Sequence, residues 1–371
     1  MKLHIDCRHF PGDRPCTFHK GKGTSCPDCP HYAPVTNKIL IIKLDAMGDV
    51  LRTTAILPSL KRKFPESFIT WLTLTPSMDF FIGNQLVNEV LDYRFDALPR
   101  IIVEEYALVI NPDTNKLSSS LASVAQGKKK LGFGLDRSGV VFPFNPEAER
   151  WLELGAFDDL KKANQLTYQE IVLTMCRLPK DDYPVVLNLL PAELELGEKF
   201  AEEHHLSPSG KIIGLYTGAG ERWKIKSWTE EGFRELIRKL LKETDFTILL
   251  YGGPDVEKKN ALLDAEFSRS GRVINTGTNN PLRTFFALLY VSDLIVSGDT
   301  MALHAALALG KKVVGLFGPT SETEIEVYGR GIKLTGTVDC LCCYRPSCNQ
   351  SPTCMETITP EIVSNAIRDL L

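Results

Sequence analysis

Several features are scarce in this chain of 371 residues, and each scarcity narrows its function. No run of 18 apolar residues occurs, so a membrane-spanning helix is not expected, and the opening MKLHIDCRHF is too polar for a signal peptide. An excess of one charge is also missing. Lys and Arg number 43 against 46 Asp and Glu, for a net charge of −3, and a pI near 6.2 gives no global argument for nucleic acid as a partner. Cysteine is nearly absent from the long middle of the chain, where only Cys176 stands between Cys29 and Cys340. With 43% hydrophobic and 24% charged residues, the composition is that of a soluble protein of about two domains. A cytoplasmic location is expected, with peripheral membrane contact still open.

The cysteines that are present gather at the two ends. Cys7, Cys16, Cys26 and Cys29 lie in the first stretch, with His9, His19 and His31 among them, and Cys340, Cys342, Cys343, Cys348 and Cys354 lie near the end. Residues 1–37 have too few aliphatic side chains for a core, which favours a staple. Cys7, Cys16, Cys26 and Cys29 are therefore candidate ligands for structural zinc or an iron–sulfur cluster, with free thiols and disulfides, which a cytoplasmic chain disfavours, as the alternatives. Their spacing matches no common zinc template. The crowded second cluster reads equally as a structural staple or a metal site.

Between the clusters the organising stretch is KILIIKLDAMGDVLRTTAILP, Lys38 to Pro58. Ile39 to Leu44 is a buried strand and Ala46-Met47-Gly48 a tight turn; from Val50 the apolar spacing becomes helical. Asp49 opens that helix. Its plainer reading is an N-cap; its functional reading is a carboxylate at the carboxyl end of a strand, where open α/β sheets collect ligands. The turn lacks G-x-G-x-x-G, and Pro58 predicts a bend or a second helix start.

Further strands are expected at Phe68–Leu74, Val87–Tyr93 and Tyr106–Asn111, with helices at Glu147–Leu154 and Asn164–Leu178. Lys128-Lys129-Lys130 reads as a solvated strand end or, functionally, as a contact to an anionic acceptor. LPKDDYPVVLNLLP, Leu178 to Pro191, reads as a linker. The second half repeats the alternation, with strands at Lys211–Tyr216, Phe246–Tyr251, Arg272–Asn275, Asp293–Ser297 and Lys312–Phe317 and a helix at Pro281–Val291. Ser227 and Glu230 predict a capping box. The expected class is α/β, two parallel-sheet halves with a ligand cleft between them.

Polar residues concentrate at the strand ends of the second half. Thr217, Gly218 and Gly220, Lys226, the helix start at Thr300 and Met301, and Gly318 to Thr320 together supply what a pyrophosphate needs, although each alone reads as an ordinary turn or cap. Glu257 suits ribose hydroxyls or a first-turn acid; His304 reads by default as a structural histidine.

As a set, ILIIKLDAMGDVLRTTAILPSLKRKFP, GAGERWKIKSW, YGGPDVEKKN and SDLIVSGDTMALHAALALGKKVVGLFGPT resemble the successive motifs of the lipopolysaccharide heptosyltransferase family, glycosyltransferase family nine. The tail CYRPSCNQSPTCMETITPEIV resembles the cysteine-bearing end of many members. The resemblance implies a GT-B fold of two Rossmann-like domains facing across a cleft, with a Cys-rich N-terminal extension. The expected division is 1–37 for that extension, 38–180 for the acceptor domain, 181–210 for the linker, 211–335 for the nucleotide-sugar domain and 336–371 for the tail.

The resemblance also implies inversion at the anomeric carbon. By motif, Asp49 is the general base, Lys226 meets the donor phosphates, Glu257 the ribose and Asp299 the donor sugar. Thr217, Gly218, Thr300, Met301 and His304 complete the donor-binding set. No Asp-x-Asp occurs, which suits chemistry without a catalytic metal. The implied donor is ADP-heptose and the acceptor the lipopolysaccharide inner core at the cytoplasmic face of the inner membrane. Met301 stands where the family usually has glycine, and Lys226-Ser227-Trp228-Thr229 replaces a lysine-arginine-tryptophan-proline pattern. Met301 keeps open a different nucleotide sugar or acceptor. A non-catalytic sugar-nucleotide or metal-sensing protein is the reading from another class.

Overall fold

The structure, a computed structural model, describes residues 3–371 apart from 96, 182, 208 and 209. The first half carries β1 (Asn37–Ile42), β2 (Ser67–Thr73), β3 (Glu89–Asp92), β4 (Glu105–Asn111), β5 (Gln126–Leu135) and β6 (Val141–Pro143). They form one sheet in the order β3-β2-β1-β4-β5-β6, parallel except for β6. The second half carries β7 (Ile212–Tyr216), β8 (Thr247–Tyr251), β9 (Val273–Asn275), β10 (Leu294–Gly298), β11 (Lys312–Phe317) and β12 (Gly331–Thr335), all parallel, ordered β9-β8-β7-β10-β11-β12. The two sheets share one doubly wound order, which reverses between β1 and β4 and again between β7 and β10. Crevices outside the carboxyl ends of the strands at those reversals are where such sheets bind ligands.

β1 shows why the sequence folds this way. Ile39 to Ile42 are buried on both faces, as an interior parallel strand requires, and Ile39 pairs with Ile69 on one side and Leu108 on the other. After Leu44 the chain turns and forms the helix Met47–Thr53, breaks at Thr54, and restarts as Ile56–Lys63 with Pro58 in the first turn of that second helix. Proline is tolerated there because the first-turn amides have no partner within the helix.

Several local expectations change. The helix expected at Asn164–Leu178 is shorter, Tyr168–Met175, with a capping box of Thr167 and Glu170. The box expected from Ser227 and Glu230 does not form. Thr229 caps the helix Glu230–Glu243 by accepting from the Gly232 amide, while the Ser227 hydroxyl donates to the Thr217 carbonyl at 3.1 Å. Lys128 to Lys130 lie on the amino-terminal half of β5, away from the cleft, and Lys130 donates to the Ser123 carbonyl. Within the stretch read as a linker, 183–190 forms neither helix nor strand, and the helix Pro191–Glu203 packs on the helix Leu282–Val291. Gly197 permits that packing, since a Cβ there would stand 3.0 Å from the Ala287 carbonyl oxygen.

The halves are joined by apolar and polar contacts. Phe80 meets Phe286 with ring centroids 5.8 Å apart. Arg283 donates to the Asp79 carbonyl at 3.0 Å, the Asn188 carbonyl at 2.6 Å and the Glu193 carboxylate at 2.6 Å. The Tyr168 amide donates to the Glu324 carbonyl at 3.0 Å. At the end of the chain the helix Pro360–Leu370 packs on Glu230–Glu243. Before it, Cys340, Cys343, Cys348 and Cys354 line a cavity of about 120 Å³. Burial and the neighbouring cysteines push the Cys354 thiol up.

Candidate active site

Asp49 is the third residue of the helix that follows β1. The N-cap is Ala46, with no side-chain cap bond, so the N-cap reading of Asp49 is corrected. Its carboxylate meets the Arg52 guanidinium at 2.8 Å, one helical turn on, and its side chain remains 37% exposed. Arg52 is held from behind by the Tyr168 ring, 3.8 Å from the guanidinium carbon to the centroid. The Tyr168 hydroxyl in turn bonds Thr53 at 2.7 Å. Arg52 Nε is buried without a partner among the described residues, so one donor of a fixed guanidinium is unspent beside the carboxylate.

The second half meets this helix end-on. A Cβ built on Gly48 would lie 3.3 Å from His304 Cδ2 and 3.6 Å from the Met301 Cα, so glycine lets the helix Met301–Ala308 approach. Thr300 is the N-cap of that helix without a side-chain cap bond, its hydroxyl paired with Ser297 at 2.8 Å. The first amides of the helix therefore point outward as anion donors. Just before it, Asp299 pairs with Lys226 Nζ at 2.7 Å, and His304 Nε2 lies 3.9 Å from the other Asp299 oxygen. Gly298 makes the pairing reachable, because a Cβ there would stand 2.9 Å from the Lys226 carbonyl oxygen.

The charges act on one another across the cleft. Burial by itself would raise the Asp49 carboxyl, but Arg52, Lys43 and His304 more than offset it and leave it below the usual carboxylate range. Asp299, also opposed by burial, is brought down to about 2 by Lys226, His304 and Arg52. Burial, followed by Arg52, lowers His304 to about 4. Near neutral pH the cleft thus holds two carboxylates, a neutral imidazole and three cations, Lys43, Arg52 and Lys226. That is an arrangement able to take a proton from a hydroxyl on one side and stabilise a departing anion on the other.

The remaining predicted donor residues are placed differently. Thr217 is fully buried at the end of β7, with its hydroxyl used on Asn260 and the Tyr251 carbonyl and its own carbonyl accepting from Ser227 and Lys259. Its side chain serves the fold. Gly218 follows it, with ordinary contact distances to Tyr216 and Asp255. Glu257 opens the helix Glu257–Phe267 after β8 and is exposed. The three therefore stand at the ends of β7 and β8 rather than among Asp49, Lys226, Asp299 and His304.

Sequence reading missed Lys43, Arg52, Tyr168, Glu324 and Tyr344. Lys43 is buried at the end of β1 and pairs with Asp113 at 3.2 Å. Glu324 accepts from the Tyr344 hydroxyl at 3.1 Å, and burial raises its carboxyl. Arg52, Lys161, Glu324 and Tyr344 line a cavity of about 230 Å³ beside Asp49. The one available signal was Arg52, three residues after Asp49 on the same helical face.

The sequence model of glycosyltransferase family 9 (heptosyltransferase) matches residues 97–352. The chain belongs to glycosyltransferase family 9. Lipopolysaccharide heptosyltransferase 2 of Salmonella typhimurium is 24% identical over 300 residues, covering 76% of this chain and 83% of that protein. The glycosyl transferase family 9 structure from Veillonella parvula superposes with a TM-score of 0.70 at 17% identity, covering 91% of this chain and 97% of that one. The structure of the E. coli ADP-heptose lipopolysaccharide heptosyltransferase II gives 0.67 at 18% identity, covering 90% and 98%. This family 9 chain is accordingly a glycosyltransferase, and its two facing Rossmann-like sheets are the GT-B fold.

Proposed function

We propose that this chain is an inverting glycosyltransferase that moves heptose from ADP-heptose to a lipopolysaccharide inner-core acceptor without a catalytic metal. The observation that carries the reading is the juxtaposition of Asp49 from the first half with Lys226, Asp299 and His304 from the second. Asp49 takes the proton of the acceptor hydroxyl as that oxygen bonds to the anomeric carbon, while the bond from that carbon to the diphosphate oxygen breaks. The charge arriving on ADP is met by Lys226 and by the amides at Thr300 and Met301. Attack from the face opposite the leaving group inverts the carbon. Asp299 holds the donor sugar, Glu257 the ribose and Gly218 the backbone side of the nucleotide.

The donor and acceptor are taken from the relatives' activities. Arg52 Nε and the cavity it lines supply an acceptor-side anchor with a fixed positive charge. Phe95 and Val103 on the first half are 88% and 76% exposed, which suits peripheral contact with the inner membrane on its cytoplasmic face. Met301 favours a second reading, a GT-B transferase for another nucleotide sugar, because its side chain stands at the helix start expected to meet the diphosphate. Thermal stabilisation by ADP, UDP, GDP and CMP separates the two. A ligand at 100 times its Kd adds about 2.7 kcal/mol to the folded state. Selective stabilisation by ADP supports heptose transfer, and stabilisation by another nucleotide alone replaces the donor.

A further inference from the structure

A cavity of about 610 Å³ lies outside the cleft, in the N-terminal segment. Cys7, Cys16, Cys26 and Cys29 all line it. They reach it from separate local structures. Cys7 bridges to Pro34, Cys16 is the N-cap of the helix Thr17–Lys22, and Cys26 and Cys29 bracket a single 3₁₀ turn closed by the Cys29 amide on the Cys26 carbonyl. All four are half-buried free thiols.

The segment needs something at that centre. No residue from 3 to 38 is buried, so the segment has no apolar core of its own. Below about 40 residues a fold ordinarily depends on disulfides, a metal or association. Its longer-range ties include Arg8 to the Glu66 carboxylate at 3.1 Å, the Tyr32 hydroxyl donating to Asp6 at 2.6 Å, and backbone bonds from Arg8 to Ala33 and from Val35 to Asp6.

The histidines of the segment line the same cavity, each with a contact of its own. His31 stacks on Phe18 with centroids 3.9 Å apart, His9 meets the edge of the same ring at 5.0 Å, and His19 Nδ1 pairs with the Thr24 carbonyl at 3.0 Å. The thiols are the free soft donors. Among the described residues no three His, Cys, Asp or Glu side chains are grouped to hold a single metal ion. Zinc bonds of about 2.3 Å would draw four sulfurs to one point, whereas these ring a space far larger than one ion. The His19 amide also donates to Cys16 Sγ at 3.4 Å, a bond of the kind that tunes iron–sulfur clusters.

We propose that Cys7, Cys16, Cys26 and Cys29 ligate an iron–sulfur cluster of the cubane type in this cavity. Four thiols bind a preassembled cluster of iron and sulfide as thiolates, releasing four protons and leaving the irons in their oxidation states. The site stands at the amino-terminal end of β1, and Asp49 follows the carboxyl end of that six-residue strand, roughly 20 Å of extended chain away. The cluster serves the segment's structure and takes no part in sugar transfer.

The test is anaerobic purification of the full chain. About four irons and four sulfides per chain, with the broad visible absorption that zinc thiolates lack, are expected. Cys26→Ser with Cys29→Ser removes both; Cys343→Ser with Cys348→Ser, in the C-terminal cluster, leaves them. For a measurement that needs no variant, the wild-type chain is alkylated before and after oxidative removal of the cluster. Cys7, Cys16, Cys26 and Cys29 react only afterwards. Stoichiometric zinc in place of iron, a Cys26–Cys29 disulfide, or iron lost only with the C-terminal pair would each overturn the assignment.

Discussion

Replacing Asp49 by Asn removes the negative charge while keeping shape and one acceptor oxygen, so it isolates the proton-accepting role. A positioned general base contributes about 10²–10⁴-fold, and kcat should fall by that factor, equivalent to about 3–5 kcal/mol of barrier. Donor affinity should change little, because Lys226 and Asp299 pair with each other 2.7 Å apart and not with Asp49. Stability should also drop. Arg52, with its side chain only 10% exposed, loses a charged partner at 2.8 Å but keeps the Tyr168 ring, a cost of about 1–2 kcal/mol and a few degrees of Tm. Single-turnover transfer, calorimetric ADP binding and a melting curve read the three effects. His304 is the competing base, neutral at pH 7 because burial lowers it to about 4. His304→Gln should therefore keep turnover within tenfold. An Asp49→Asn enzyme that retains wild-type turnover, or a His304→Gln enzyme that loses it a thousandfold with donor binding intact, would refute the reasoning.

Other outcomes follow from the same geometry. Folding stability should fall on acidification from about pH 6.5 to pH 4, because His304 has a native value of about 4 against 6.5 unfolded, so the unfolded chain binds the extra proton. The loss is of order 3 kcal/mol, and Asp299, at about 2 against 3.8, continues it in the same direction below pH 3.8. Urea midpoints across that range check the sign, and midpoints that rise on acidification refute it. Gly48→Ala should cut kcat more than it cuts Tm, since the added carbon meets His304 Cδ2 at 3.3 Å where the two halves touch. Gly132→Ala should instead destabilise the first half by more than about 3 kcal/mol, because φ is +89° and the new carbon would stand 1.9 Å from the Asn111 carbonyl oxygen. Thermal melts of the two alanine variants separate these effects. Lys226→Met should weaken ADP binding at least tenfold, which calorimetry reads directly, and leave Asp299 with His304 and Arg52.

The parts legible in the chain were those written in short-range order. Strands such as Ile39–Leu44 and Lys312–Phe317 declare themselves through continuous apolar runs, and the glycine turns after them through composition. These features depend on neighbours a few residues apart. Asp49, Lys226 and Asp299 could be named because each sits in a local motif. The cap at Thr229 rather than Ser227 was not legible, because the Ser227 hydroxyl is diverted to Thr217, ten residues away in sequence and adjacent only once β7 is in place.

By itself, then, the sequence determined the alternation of strand and helix and the two-sheet class, which follow from periodicity, while the candidate carboxylates came from the resemblance of its motifs to those of the family. The tertiary structure decided what those carboxylates face. Arg52 is fixed by Tyr168, 116 positions later in the chain, and Asp49 feels the charges around His304 and Asp299 because Gly48 and Gly298 let separate segments approach. It also decided that four cysteines spread over the N-terminal segment surround one cavity. Electrostatics and ligation depend on distance through space, and in a folded chain that distance is unrelated to separation along it.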